Sequence, residues 1–391
     1  MGFNNGSYWI KLKVYINVWF TFKNLIKTIL FISLITVLIY FAISFLQTKS
    51  NVMDIEDYSP KSTLKVKQTL LKKSKYPFID VHNHQFDMPI KNLSKLVNEM
   101  DSLNMAFMIN LSGFRGMYLE KSLQNIKESA PTRFGLFVNV DFEKVDDPDF
   151  EDKTLKIIRD AVNDGVVGLK VYKSLGLTDK DSNGNRISVN DPRLDPIWNL
   201  CGELNIPVLI HSGEPEAFWF DKNKYNERWL ELRQKPSRYR GDASKYPSFE
   251  TVISEQHDIF RKHPETIFIN AHLGWMGGDL DALSDHLDTY KNVMTEIGAV
   301  LAELGRQPVR ARKFLTEYKN RVLFGKDSYN VSEYYTYFRV LETDDEYFDY
   351  YRKRHAHWKM YGLNLPDSVL KPLYYENALK LFPNIDKNLI K

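Results

Sequence analysis

One repeating pattern limits how this chain can fold more than any other feature. Eight short apolar runs occupy 78–84, 105–111, 134–141, 166–172, 206–212, 266–272, 292–299 and 321–327. Continuous apolar runs of this length suit strands buried on both faces. Amphipathic stretches separate them. Leu93, Leu96, Val97, Met100 and Leu103 fall at helical spacing, as do Leu155, Ile158, Ala161 and Val162, then Ile197, Leu200 and Leu204. Segments 249–262, 280–290 and 309–319 read the same way, and a last helix over 366–381 should close the structure. Eight β-then-α units within about 300 residues predict a (β/α)8 TIM barrel. An open doubly wound sheet is the alternative, but it gives no reason for polar residues at so many strand ends.

The amino-terminal part has a different character. From Thr28 to Leu46 no residue is charged, and that length just spans a hydrocarbon core as a helix. We therefore read 1–27 as a basic segment, 28–46 as a single-pass anchor in the lipid bilayer, 47–75 as a linker and 76–391 as the catalytic domain. Lys11, Lys13, Lys23 and Lys27 precede the span, which puts the body on the non-cytoplasmic side. A cleaved signal peptide is the rival reading, with Ala42-Ile-Ser44 a poor cleavage site. Residues 1–50 hold five Lys and no acid, leaving 53 − 5 = 48 bases against 50 acids in the rest. A body so nearly neutral offers no basic stripe and argues against nucleic acid as partner. The one cysteine, Cys201, excludes an internal disulfide and reads as a small buried apolar residue.

Chemistry gathers where the strands should end. His82 and His84 close the first strand; period-2 alternation puts both on one face, roughly 7 Å apart, with Asp80 beneath them. Two imidazoles so placed can converge on one metal ion. Lys170 lies on strand four, His211 and His272 end strands five and six, Glu296 lies on strand seven and Asp327 ends strand eight. In a barrel these ends open onto one face. The other histidines, His257, His263, His286, His355 and His357, read as surface or packing residues.

In these segments the sequence resembles the amidohydrolase superfamily, in particular its amidohydrolase-2-like branch of metal-dependent hydrolases and decarboxylases. IDVHNH (79–84), VLIHSG (208–213), FINAHLG (268–274), ELGRQP (303–308) and VLFGKD (322–327) carry the likeness, which runs from about Phe78 to Phe382. It implies that His82, His84, His211 and Asp327 bind a divalent metal, zinc suiting three imidazoles and a carboxylate. It further implies that Asp327 shuttles a proton and that His272 polarises the substrate or serves as a ligand. The expected reaction is metal-assisted hydrolysis of an amide, lactone or ester. The alternatives are decarboxylation or hydration of an unsaturated or aromatic acid, or a binding barrel without activity. Where relatives commonly have Thr or Ser, Lys326 precedes the aspartate; it either favours the ionised aspartate or points away.

Some superfamily members carboxylate a strand-four lysine to bridge two metals, so one ion is expected, or two if Lys170 is modified. As a free amine, Lys170 would bind a substrate carboxylate; whether it or Lys173 points inward is open in the sequence. Glu296 reads as a partner for a ligand histidine or as an ordinary strand residue. Glu214, Trp275 and Arg306 are further candidates for substrate binding. The long connection after strand five, from Ser212 to about Ser248, carries Trp219, Phe220, Tyr225, Trp229, Tyr239 and Tyr246 among its charged residues, aromatics that either form a lid or anchor the insertion.

Overall fold

The computed structural model describes residues 6–50, 53–354 and 358–390; His355 and His357 lie outside them. The chain divides into two units, residues 1–64 and 65–391. In the first, a single helix α1 (Gly6–Ser50) runs without interruption and holds a stretch, Trp9–Leu46, long and apolar enough to cross a membrane.

The second unit is a barrel of eight parallel strands, β1 (Phe78–Asn83), β2 (Met105–Asn110), β3 (Phe134–Asn139), β4 (Gly168–Val171), β5 (Val208–Ile210), β6 (Phe268–Asn270), β7 (Val293–Glu296) and β8 (Val322–Leu323), paired in chain order. The ring meets itself where the Val81 N–H donates to the Phe324 carbonyl at 3.0 Å and where Asn83 bridges Asp327. Helices α2 (Leu93–Leu103), α3 (Met117–Ser129), α4 (Phe150–Asn163), α5 (Asp195–Glu203), α6 (Trp229–Gln234), α7 (Phe249–Lys262), α8 (Leu280–Thr289), α9 (Leu301–Arg306), α10 (Pro308–Glu317) and α11 (Val331–Glu342) occupy the connections and the segment after β8.

Alternation along the strands sorts the core into two clusters. Phe107, Ile109, Phe137, Leu209, Ile269 and Leu323 fill the interior. They are plugged by Ala378, Phe382 and Ile385, from and after α13 (Asn377–Leu381), which follows α12 (Asp367–Lys371) through a π-turn beginning at Pro372. Met108, Val138, Val171, Ile210 and Val293 belong to the cluster packed under the helices. On β4, Leu169 and Val171 both pack outward, so Lys170 between them faces the lumen.

The eight strands lie where the apolar runs predict, but several end early. Past β6 the chain turns left-handed at His272 (φ +59°), and past β8 at Asp327 (φ +80°), so these side chains project from turns. β1 shifts register between Asp80 and Asn83, which breaks the simple period-2 reading. Asp80 therefore does not lie beneath the imidazoles. It accepts from the Tyr334 hydroxyl at 2.6 Å and the Asn83 amide at 2.9 Å. The tether expected to reach residue 75 is in contact with the body before that, Thr69 donating to Asp345 through both its N–H and its hydroxyl.

Cys201 is buried, and burial pushes its thiol up. His257 and His286 pack between α7 and α8, ring centres 4.4 Å apart and tilted by 35°, with His257 Nε2 and both His286 ring nitrogens buried without a hydrogen bond. Burial, then His257, lowers His286 to about 3. The unfolded chain, with His near 6.5, binds that proton more tightly, so this stability is complete above about pH 6.5 and is lost as pH falls towards 3. Urea unfolding at pH 7 and pH 4.5 should show His286→Phe losing about 2 kcal/mol less than the parent on acidification. Asp80, raised to about 6 by burial, works in the opposite direction but equally in both proteins. Equal losses would remove His286 from the account.

Candidate active site

At the carboxyl ends of the strands the structure gathers His82, His84, His211, His272 and Asp327. His82 Nε2 and His84 Nε2 each lie 3.6 Å from Asp327 Oδ1. His82 is fully buried, with Nδ1 2.9 Å from Glu296 Oε1. A carboxylate only accepts, so the ring donates there and Nε2 is left as a lone pair. His84 Nδ1 contacts the Ser112 hydroxyl at 2.8 Å, and its ring stacks on Phe86 and Tyr172. His272 Nδ1 faces the Gly298 carbonyl at 2.7 Å and must donate to it, which makes Nε2 an acceptor for His211 Nδ1 at 3.3 Å. His211 Nε2 is then also a lone pair. Both His82 Nε2 and His211 Nε2 are buried without a partner.

Glu296 fixes this arrangement. Its carboxylate accepts from His82, from the His272 backbone N–H at 2.6 Å and from the Gly298 backbone N–H. The cradle exists because residues 298 and 325 are glycine. A Cβ at Gly325 would fall 2.3 Å from Glu296 Oε2 and 2.9 Å from His82 Cβ; at Gly298 it would fall 2.6 Å from that oxygen.

Electrostatics favour neutral ring nitrogens beside an ionised carboxylate. Burial first, then Lys170, lowers His82; burial first, then His272, lowers His211. Burial takes His84 to about 4. For Asp327 burial acts upward but is outweighed by the imidazoles of His82, His272 and His84 and by Lys170, which hold it at about 2. Such a donor set, unprotonated imidazoles aimed at a common acid, fits a divalent ion. His82, His84 and Asp327 bring ligand atoms within 4.8 Å of one another, as do His82, His272 and Glu296. In the second trio Glu296 is already committed to three N–H donors, which leaves the first as the natural holder. His211 stands outside both trios, turned to His272.

Lys170 is 1% exposed, and its amine, without a hydrogen-bond partner, lies 5.5 Å from the centre of the Tyr172 ring. Burial lowers it to about 7, against the pull of Asp327 and Glu296. Lys173 instead points to Glu214 at 2.8 Å, and Glu214 also accepts from Arg240 at 3.1 Å. Lys326 turns away from Asp327 to the Ser328 carbonyl and Glu333. Trp275 lies against His272, ring centres 4.7 Å apart. Arg306 is remote from the cluster, paired with Glu227 at 3.0 Å and stacked over Trp358. His211, His272, Asp327, Trp275 and Glu214 line a cavity of about 90 Å3. Above it, the insertion after β5 divides its aromatics between roles. The Trp219 indole ties the loop to the Pro247 carbonyl, whereas Phe220 and Tyr225 line a neighbouring groove. Ser112 and the two cradle glycines were not singled out from the sequence; their one signal was position, immediately beside strand ends.

A family model described as Amidohydrolase matches residues 130–383. The match begins after β2, so His82 and His84 enter through the fold. No curated protein matches the sequence. Among solved structures, a 2,6-dihydroxybenzoate decarboxylase complexed with 2,6-dihydroxybenzoate is similar at 13% identity, over 79% of this chain and 99% of that one, with a TM-score of 0.51. A dihydroxybenzoic acid decarboxylase from Polaromonas sp. JS666, with bound manganese and 2-nitroresorcinol, has 12% identity, 81% and 99% coverage and a TM-score of 0.49. A 4-oxalomesaconate hydratase from Rhodopseudomonas palustris has 12% identity, 80% and 97% coverage and a TM-score of 0.47. At such identities the likeness is one of fold.

Proposed function

Because the chain belongs to the amidohydrolase family, whose model covers most of the barrel, we propose that it is a membrane-anchored, metal-dependent hydrolase of a C–N or C–O bond in an amide, lactone or ester. The carrying observation is the convergence of His82 Nε2 and His84 Nε2 on the ionised Asp327, their inner nitrogens held by Glu296 and Ser112. His82, His84 and Asp327 would hold one zinc ion, with His211 completing the set through its free Nε2. Bound there, the ion would supply Lewis acidity and lower the pKa of a water to about 7.

The protein's own groups do the rest. Asp327, 32% exposed at the cavity floor, accepts the proton of the attacking water and returns it to the leaving nitrogen or oxygen. His272 is fixed by Gly298 so that only Nε2 faces the cavity. Through that atom it also accepts from His211 Nδ1 at 3.3 Å, which turns the free His211 Nε2 towards the metal site. Trp275 closes one side of the cavity against His272 and His211. The buried Lys170 amine suits an anionic group of the substrate and so supports one second reading, decarboxylation of an acid on the same centre. Release of CO2, rather than uptake of water into product, would select it.

The anchor belongs to the same proposal. α1 is long and apolar enough to cross a bilayer, and the lysines ahead of residue 28 favour a cytoplasmic amino terminus with residues 76–391 on the other side. The experiment is a panel of lactones, esters and amides assayed with the purified full-length protein before and after chelation. Turnover should fall at least about 100-fold on chelation and return with zinc; turnover indifferent to a chelator that strips the metal would end this reading.

A further inference from the structure

His84, one residue past β1, is backed by two hydroxyl groups in series. Its Nδ1 lies 2.8 Å from Ser112 Oγ, that oxygen lies 3.0 Å from Tyr172 Oη, and Tyr172 Oη lies 3.3 Å from the Leu111 carbonyl. Ser112 is buried just past β2, and its N–H donates to Asn110 Oδ1 at 3.0 Å. Tyr172 directly follows β4, and its ring stacks on the His84 imidazole, centres 5.8 Å apart and planes 27° apart. The ends of three strands thus meet behind one metal ligand.

Each hydroxyl carries one proton, so two directions satisfy every link between the ring and Tyr172. In one, His84 Nδ1–H donates to Ser112, Ser112 to Tyr172 and Tyr172 to the Leu111 carbonyl; three hydrogen bonds form and Nε2 keeps its lone pair. In the other, Tyr172 donates to Ser112 and Ser112 to Nδ1. The bond to Leu111 is then lost and the ring proton sits on Nε2, facing Asp327 Oδ1 at 3.6 Å, beyond hydrogen-bonding reach. The first direction makes three bonds and the second makes two. A carbonyl only accepts, so Leu111 sets the sense of the whole chain.

We infer that Tyr172 is a positioning residue for the metal site: acting through Ser112, it holds the His84 proton on Nδ1 and keeps Nε2 a lone pair on the side of Asp327. This rests on reading His84 as a metal ligand. Removing the Tyr172 oxygen strands the Ser112 proton, whose remaining acceptor among the described residues is His84 Nδ1. The ring is then driven to the Nε2–H form, which cannot bind a cation. Removing the Ser112 oxygen instead disconnects Tyr172 from the ring.

The test reads zinc binding and the ring tautomer, not turnover. Zinc affinity of the full-length protein in detergent is measured by competition with a chromophoric chelator for the parent, Tyr172→Phe, Ser112→Ala and the double variant. Tyr172→Phe keeps the stacked ring and should weaken zinc about tenfold, and Ser112→Ala should weaken it by about tenfold to a hundredfold. The double variant should match Ser112→Ala within about twofold, because Tyr172 acts on the imidazole only through Ser112. In the metal-free protein, nitrogen NMR of ring-labelled histidine should find the His84 proton on Nδ1 in the parent and a larger share on Nε2 in Tyr172→Phe. Unchanged zinc affinity in Tyr172→Phe, additive losses in the double variant, a parent proton on Nε2, or a tautomer that Tyr172→Phe does not move each overturns the inference. A parent that binds no zinc defeats the metal reading instead, and the tautomer comparison then judges the hydroxyl chain by itself.

Discussion

Asp327→Asn should lower turnover by about 10³-fold while leaving the fold in place. Its Oδ1 lies 3.6 Å from both His82 Nε2 and His84 Nε2, and the carboxyl is held ionised at about 2. Asparagine keeps the shape and a carbonyl oxygen but cannot take a proton. It also tolerates the left-handed backbone at this position, φ +80°, better than most residues, so the change should cost little stability. The measurement is kcat on the best substrate of the panel, alongside metal content and thermal midpoint. A variant within tenfold of the parent would remove Asp327 from the proton path.

Lys170→Met should raise stability, where Asp327→Asn leaves it nearly unchanged. The amine is buried, makes no hydrogen bond and is lowered to about 7. Its folded value lies below its unfolded one, so the unfolded chain holds the proton more tightly. The penalty is complete below pH 7 and disappears as pH rises towards about 10.4. At neutral pH it is on the order of 4 kcal/mol, and methionine of similar length removes it. Urea unfolding should therefore find the variant more stable by a few kcal/mol at pH 7, with the gap closing near pH 10. If the variant is destabilised and loses an equivalent of metal, Lys170 is a carbamate ligand and not a free amine.

The barrel was legible because its strands are buried on both faces and so appear as apolar runs, and because polar residues mark where those runs open onto the active face. Strand ends were less legible. His272 and Asp327 sit in left-handed turns, which a pattern of apolar alternation cannot reveal. The same limit displaced Asp80: its carboxylate accepts from the Lys326 backbone N–H, 246 positions away, and from the Tyr334 hydroxyl, 254 away. Helix α3 escaped notice because its buried face is narrow, with Leu119, Ser122 and Ile126 as its buried residues. Of the candidate site residues, the strand-end histidines and the aspartate converge. Arg306 and Glu214 are engaged by partners 79 and 26 or 41 residues away, pairings that no local motif encodes. The choice between Lys170 and Lys173, open in the sequence, follows from which face Leu169 and Val171 cover.

The central claim is that His82, His84 and Asp327 hold a catalytic metal. Elemental analysis of the purified full-length protein beside His82→Ala tests it most directly. We expect one equivalent of a divalent metal in the parent and less than a tenth of that in the variant. No metal in the parent, or an undiminished equivalent in His82→Ala, would contradict the account.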